Sequence, residues 1–389
     1  MSINFKKIAT PCYVLEESHL RNNLEILKYV QKKSGAKIIC ALKGFAMFCT
    51  FELVKQSLQG VATSSMNETK LGYRDFGGEI HACSPAYLES EFLELMKYCN
   101  YITFNSLSQW ERFKPEIKAN PKRISCGIRI NPEYSEIDSP LYDACIKGSR
   151  LGVTSDELGN KYLPDGIEGL HFHSHSENDA ATLKNTLAVV KKKISRLLHQ
   201  AKWLNMGGGQ QITREDYDVG LLIKLIRDIS KRYNLKVILE PSQAVSWKTG
   251  YLVSTILDIV ESNGIKTAVL DISVAAHMPD CIEMPYKPMV FAVGNDYVNY
   301  PQDKKKNTQP YRMGGISCLA GDYVGDYYFD NPLENGDIVV FEDMIGYTMV
   351  KNTTFNGITL PSIGIWTAAD DKFKLIHKFG YEDYRIRLS

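Results

Sequence analysis

The sequence predicts an α/β protein, a (β/α)8 TIM barrel followed by a C-terminal antiparallel β domain. From Lys37 to about residue 262, short apolar runs alternate with amphipathic stretches at helical spacing. Beyond that point the helical periodicity fades, and short β-rich runs separated by turn signals take over. The 389 residues are enough for two domains. The expected division is an N-terminal strand and helix over 1–34, with the strand joining the β domain, a barrel over 35–262, and the β domain over 263–389.

The first strand is expected at Pro11 to Glu16, where Cys-Tyr-Val-Leu is apolar. A helix over 17–34 follows, because Leu20, Leu24, Leu27 and Val30 recur at helical spacing. Barrel strands are expected at 37–42, 60–63, 79–83, 101–104, 123–130, 167–173, 201–206 and 236–240. Helices are expected at 48–59, 87–98, 183–199 and 219–233. Strands alternating with helices imply parallel pairing through right-handed crossovers. Eight of them in about 200 residues fit a closed barrel better than an open sheet. Residues 131–166 are too long for a plain connection and carry Pro132, Pro140, Pro164 and the run Gly148-Ser149-Arg150-Leu151-Gly152. They read as an irregular excursion near the barrel mouth. In the β domain, strands are expected at 268–273, 289–293, 337–342 and 363–367. The turn signals are Gly294-Asn295-Asp296, Asn335-Gly336-Asp337 and Asn356-Gly357. Asp303-Lys304-Lys305-Lys306-Asn307 reads as a solvated charged loop.

Composition narrows the function classes. Apolar residues make up 44% and charged residues 23%, as in ordinary globular proteins. A formal net charge of +1 gives no global field for nucleic acid or an anionic membrane. No apolar run is long enough to span a bilayer, and Met1–Lys7 lacks the apolar core of a signal peptide. The nine cysteines are scattered without a Cys-x-x-Cys pair, which points to reduced thiols and a cytoplasmic location.

Barrels carry function at the C-terminal ends of their strands, and the unusual residues fall there. Lys43 follows the first strand within Ala41-Leu42-Lys43. An amine losing hydration at a strand mouth is more readily neutral and can form a Schiff base with an aldehyde such as pyridoxal phosphate. An isolated Ala-Leu-Lys is more often a surface lysine, so its neighbours decide the matter. Arg129 ends the fifth strand, and His171, His173 and His175 straddle the end of the sixth. Gly207-Gly208-Gly209 follows the seventh, where backbone N–H groups could cradle a phosphate. Glu240 follows the eighth, where a carboxylate could hold a protonated ring nitrogen. The three histidines share a strand face, so a zinc hydrolase is a rival reading. At least one of them is expected to be an ordinary core histidine.

In this order and at these strand ends, the motifs resemble those of the fold-type III pyridoxal-phosphate decarboxylases over nearly the whole chain. That family includes diaminopimelate, ornithine and carboxynorspermidine decarboxylases. Ala41-Leu42-Lys43, His173-Ser174-His175-Ser176, Gly207-Gly208-Gly209 and Glu240-Pro241-Ser242-Gln243 resemble its four barrel motifs. Cys318-Leu319-Ala320-Gly321-Asp322 resembles its cysteine loop, and Asp343–Gly357 its tyrosine segment. Gln243 replaces an arginine of the wider family, and His175 replaces a glycine. With His277-Met278-Pro279-Asp280, these features bring the chain closest to the carboxynorspermidine/carboxyspermidine group, in which position 243 is typically glutamate.

The resemblance implies pyridoxal 5'-phosphate on Lys43, with His173 stacked on its ring and Glu240 at its ring nitrogen. It implies Ser176, Gly207, Gly208, Gly209 and Tyr347 around the phosphate. Catalysis falls to Lys43, His173 and Cys318, the thiol reaching across a homodimer into the neighbouring subunit's site. Gln243, Asp280, Asp322 and Arg129 are left to meet a polyamine-type substrate. The rivals are another basic amino acid decarboxylase of the same fold, such as a diaminopimelate decarboxylase, and a non-catalytic cofactor-binding regulator. Neither nucleic acid nor membrane is expected as a partner.

Overall fold

The computed structural model describes residues 3–159, 161–294 and 310–389. The charged run 303–307 and the Asn295-Asp296 turn lie outside the described residues. The chain divides into two compact units, one holding the described residues of 1–21 and 246–389, the other 22–245.

Strand β1 (Cys12–Glu16) buries its apolar run and leads directly into helix Glu17–Ser34. Leu20, Leu24, Leu27 and Val30 are buried along one stripe of that helix. Gly35, at φ +79°, ends it, its N–H bonded back to the Gln31 carbonyl.

The larger unit is the barrel. Its first apolar run is split at Ile39 into β2 (Lys37–Ile38) and β3 (Cys40–Ala41). Then come β4 (Gly60–Thr63), β5 (Glu79–Cys83), β6 (Tyr101–Phe104), β7 (Ser125–Arg129), β8 (Ile167–His171), β9 (Trp203–Asn205) and β10 (Lys236–Leu239). Every pairing is parallel, from β3 to β4 round to β10 and β2. The split run closes the ring. Ile39 and Ala41 donate N–H to the Leu239 and Pro241 carbonyls, while Leu42 donates to Ala62 on the other side.

Helices Glu89–Tyr98, Ala180–Leu198 and Val219–Tyr233 stand near their expected places. The predicted helix over 48–59 is only a 3-10 turn, Phe48–Thr50, and one helical turn, Phe51–Val54. Ser65, Ser106, Asp179 and Asp218 each accept the N–H three residues on and so start the helices that follow. The excursion after β7 has one short helix, Ser155–Leu158, opened by a Thr154–Glu157 capping box. Asn105 ties it to the barrel, donating to the Arg150 carbonyl and accepting from the Gly152 N–H.

Trp203 fills the barrel interior with Ile39 and Ile238, and Ala62 and Tyr101 pack against them. Its indole N–H donates to Ser125 Oγ at 2.9 Å. The indole fits because two strand positions are glycine. A Cβ on Gly127 or Gly169 would stand 2.2 or 2.0 Å from the ring.

In the smaller unit, β1 is joined by β11 (Gly250–Ser262), β12 (Ile265–Leu270), β13 (Val290–Ala292), β14 (Tyr311–Gly314), β15 (Tyr323–Tyr327), β16 (Ile338–Glu342), β17 (Ser362–Thr367) and β18 (Lys372–His377). The sheet is mixed rather than antiparallel, because β1 runs parallel to β17 and β12 parallel to β14. The boundary also falls earlier than the expected residue 262, since β11 lies wholly in this unit. It pairs with β1, β12 and β16. Its first half is a buried apolar run and its second half is largely exposed, so in sequence the strand resembles a barrel strand with a polar loop.

Filling the space beside Trp203 tests the packing. Gly169→Ala is expected to destabilise the protein by about 1–3 kcal/mol. Urea unfolding reads this, and unchanged stability would contradict the arrangement.

Candidate active site

At the C-terminal ends of β8 to β10, backbone geometry and buried charge specify each other. Gly207 and Gly209 have φ of +68° and +80°, a region that favours glycine. A Cβ on Gly208 would stand 2.3 Å from the Glu240 carbonyl oxygen, and one on Gly209 would stand 2.0 Å from the His175 carbonyl oxygen. The Gly207 N–H donates to Asn205 Oδ1 at 2.9 Å, and the Gly208 N–H to His173 Nδ1 at 3.2 Å. Two of the three N–H groups expected to meet a phosphate are therefore used internally. What the loop still offers an anion is the Gly209 N–H.

The bond from Gly208 fixes a tautomer. A backbone N–H can only donate, so His173 Nδ1 accepts, and a neutral ring carries its proton on Nε2. Burial, with the charges of Lys43 and Arg129 close by, holds His173 well below the usual imidazole range, so the ring is neutral. Nε2 lies 3.2 Å from Lys43 Nζ. Lys43 itself is exposed, so burial does not dehydrate its amine as the sequence reading supposed. Arg129 sits beside them and donates to the His173 carbonyl at 3.2 Å.

Glu240 is 6% exposed. Burial alone would raise its carboxyl, but His171, Asn205 and His81 outweigh that and hold it at about 2. Asn205 Nδ2 donates to its Oε1 at 2.6 Å, and His171 Nε2 lies 3.5 Å from Oε2. For buried His171, burial opposes the charge, yet Cys83 and Glu240 raise it to about 9. Glu240 is thus a desolvated anion at the barrel mouth.

Ligating atoms of His171, His173 and Glu240 lie within 4.8 Å of one another. His175 is not among them. It is buried, packs near Phe172, and has no hydrogen-bond partner on either ring nitrogen. The three-histidine face of the rival zinc reading therefore does not form, because β8 ends at His171 and the chain turns away.

Ser176 is half-buried, its N–H held by Asn178 Oδ1 at 2.9 Å. Gln243 opens a short helix and donates Nε2–H to Glu177 Oε1 at 3.0 Å. The sequence reading missed Glu68, Asn205, Cys83 and His81. Glu68 could have been found from the capping pattern Ser65-Met66-Asn67-Glu68. Its carboxylate holds the Ser64 N–H and interacts with Lys43.

The smaller unit carries the other predicted residues. Cys318 is exposed, and its N–H donates to Asn356 Oδ1 at 2.8 Å, which links the cysteine loop to the tyrosine segment. Asp322 was expected to meet substrate, but it is 5% exposed and already committed. It accepts from Ser273 Oγ and the N–H groups of Ala275 and Ser317 at 3.1, 2.8 and 3.0 Å. These bonds brace the cysteine loop. Asp280 Oδ2 accepts from Tyr286 and Thr348, each at 2.8 Å, while its buried Oδ1 has no partner. Tyr347 is half-buried at the start of helix Tyr347–Val350.

The buried pair makes stability depend on pH. His171 is raised from 6.5 to about 9, so its contribution is complete below 6.5 and is lost as pH rises through 9. Glu240 is lowered from 4.5 to about 2, so its contribution is present above 4.5 and is lost as pH falls towards 2. The stability difference between wild type and His171→Asn, from urea unfolding of cofactor-free protein, is expected to narrow from pH 6.5 to 9. A constant difference over that range would contradict the charged pair.

Residues 12–345 match the family described as pyridoxal-dependent decarboxylase, C-terminal sheet domain. A carboxyaminopropylagmatine decarboxylase of Synechocystis sp. is 43% identical over 98% of this chain and 96% of its own. A carboxynorspermidine/carboxyspermidine decarboxylase of Campylobacter jejuni is 42% identical over 98% of this chain and 99% of its own. The solved structure of carboxynorspermidine decarboxylase from Campylobacter jejuni, complexed with norspermidine, is 40% identical. It covers 98% of this chain and 100% of that one with a TM-score of 0.88. A Helicobacter pylori diaminopimelate decarboxylase, 17% identical with a TM-score of 0.82, shares the fold. The arrangement of Lys43, His173, Glu240 and the glycine loop and these likenesses agree: the chain is a decarboxylase and belongs to the pyridoxal-dependent decarboxylase family.

Proposed function

We propose that this protein decarboxylates carboxynorspermidine, carboxyspermidine or both, using pyridoxal 5'-phosphate held at the barrel mouth. The observation that carries the cofactor reading is the buried, charged Glu240 beside a neutral His173 and an exposed lysine amine. A carboxylate kept ionised in a desolvated site suits a protonated ring nitrogen. The glycine loop supports the same reading, since a Cβ on Gly207, Gly208 or Gly209 would strike the Phe172, Glu240 or His175 carbonyl and glycine is therefore required there. Bound there, pyridoxal phosphate would supply an electron sink for the pair left behind when CO2 departs.

The chain's own residues would divide the remaining work. Lys43 would offer the amine that takes the cofactor's aldehyde carbon. Glu240 would keep the ring nitrogen protonated, and His173, held in place by the Gly208 N–H, would pack against the ring. Ser176, the glycine loop and Tyr347 would take the phosphate. Loss of CO2 breaks one carbon–carbon bond and leaves its electron pair on the α-carbon. A proton from Lys43 or from the partner subunit's Cys318 then completes the amine product. The exposed, braced loop around Cys318 suits such a role in a homodimer. Asp280, with an unpartnered buried oxygen, suits a cationic amine of the substrate. Among the described residues no helix is long and apolar enough to cross a membrane, and nine cysteines without a disulfide fit a reducing cytoplasm.

The 43% identical relative adds carboxyaminopropylagmatine to the substrates to be compared. CO2 release by the cofactor-loaded protein should be measured side by side with carboxynorspermidine, carboxyspermidine, carboxyaminopropylagmatine, meso-diaminopimelate and ornithine. Release from carboxynorspermidine or carboxyspermidine, and none from diaminopimelate or ornithine, is expected. Release from the last two alone would overturn the substrate assignment.

A further inference from the structure

We infer that Glu177, held by Gln243, is the carboxylate at the barrel mouth that binds the cationic tail of the substrate. The inference rests on the polyamine reading above and supplies the charge that Gln243 does not carry. Gln243 donates Nε2–H to Glu177 Oε1 at 3.0 Å. Glu177 Oε2 has no donor among the described residues, and the side chain is exposed. A carboxylate with one oxygen fixed by a neutral amide and the other open to solvent is arranged to receive a cationic donor.

The backbone places Glu177 deliberately. Asn178, just after it, is tied to the glycine loop, its N–H on the Gly209 carbonyl and its carbonyl accepting the Gln211 N–H, and its Oδ1 holds the Ser176 N–H on the other side of Glu177. Glu177 is the tip between these ties, four residues beyond His173, at φ +56°. Few residues other than glycine adopt that conformation. It directs the side chain to Gln243, which follows β10, so the pair joins two strand-end loops of the mouth.

Four other acidic groups on these loops have different tasks, while Glu215 is exposed and its carboxylate is not the one that the Gln243 Nε2–H meets. Glu240 is buried against His171 and Asn205, Asp179 and Asp218 start helices, and Asp216 pairs with Arg214. A glutamate at 243 would face Glu177 across the same contact, two carboxylates in mutual repulsion. Glutamine at 243 relieves that repulsion and leaves one charge, carried by Glu177.

The test compares carboxynorspermidine with an analogue whose terminal amine is replaced by hydrogen, on cofactor-loaded wild type, Glu177→Gln and the double variant Glu177→Gln/Gln243→Glu. Norspermidine affinity is read in parallel by calorimetry. Glu177→Gln is expected to lower kcat/KM for carboxynorspermidine about tenfold or more, mainly through KM. It is expected to weaken norspermidine binding by a similar factor and to spare the analogue. The double variant, with the carboxylate restored across the contact, is expected to recover most of both losses. An equal loss on the two substrates, or no loss on either, with an active wild type, would overturn the role of Glu177 alone. A wild type that turns over no polyamine substrate would overturn the parent reading and this inference together.

Discussion

The site is organised around one costly placement, a carboxylate kept ionised where water is largely excluded. Glu240 is 6% exposed, and burial by itself would protonate it. The barrel prevents this with Asn205 on one oxygen and a positively biased His171 near the other. Both partners come from the ends of neighbouring strands, so the anion needs the strand register that positions them. Asn205 also accepts the Gly207 N–H, which ties the glycine turn to the same group. Gly208 in turn sets the proton on His173. The chain of dependence thus runs from register to anion to turn to tautomer.

Parallel pairing explains why so much of the barrel was legible. Strands buried on both faces read as apolar runs, and all eight expected runs contain a strand, the first of them split at Ile39. The reading failed where one strand serves two surroundings. The second half of β11 is largely exposed, so its sequence resembles a loop, and the unit boundary was placed too late. Parallel pairs in the second sheet were missed because β1 and β17 lie far apart in the chain, and no local pattern records their direction.

For the site, sequence located the residues better than it described their states. Lys43, His173 and Glu240 do converge at the strand ends, because the barrel brings strand ends together whatever connects them. Hydrogen-bond commitments were not readable. Nothing local shows that two glycine N–H groups are already used, that Asp322 is enclosed by three donors, or that Glu177 faces Gln243. Each of those contacts joins separate loops. The Asn356–Cys318 bond is of the same kind, a link between motifs 38 residues apart that were read as independent.

The account stands or falls on Lys43 as the residue that holds the cofactor's aldehyde. The most direct measurement is borohydride reduction of the protein loaded with pyridoxal phosphate, followed by peptide mass mapping. The account predicts the pyridoxyl mass on the peptide containing Lys43 and its absence from a Lys43→Ala protein. A label on a different lysine, or none on a protein shown to retain the cofactor, would contradict it.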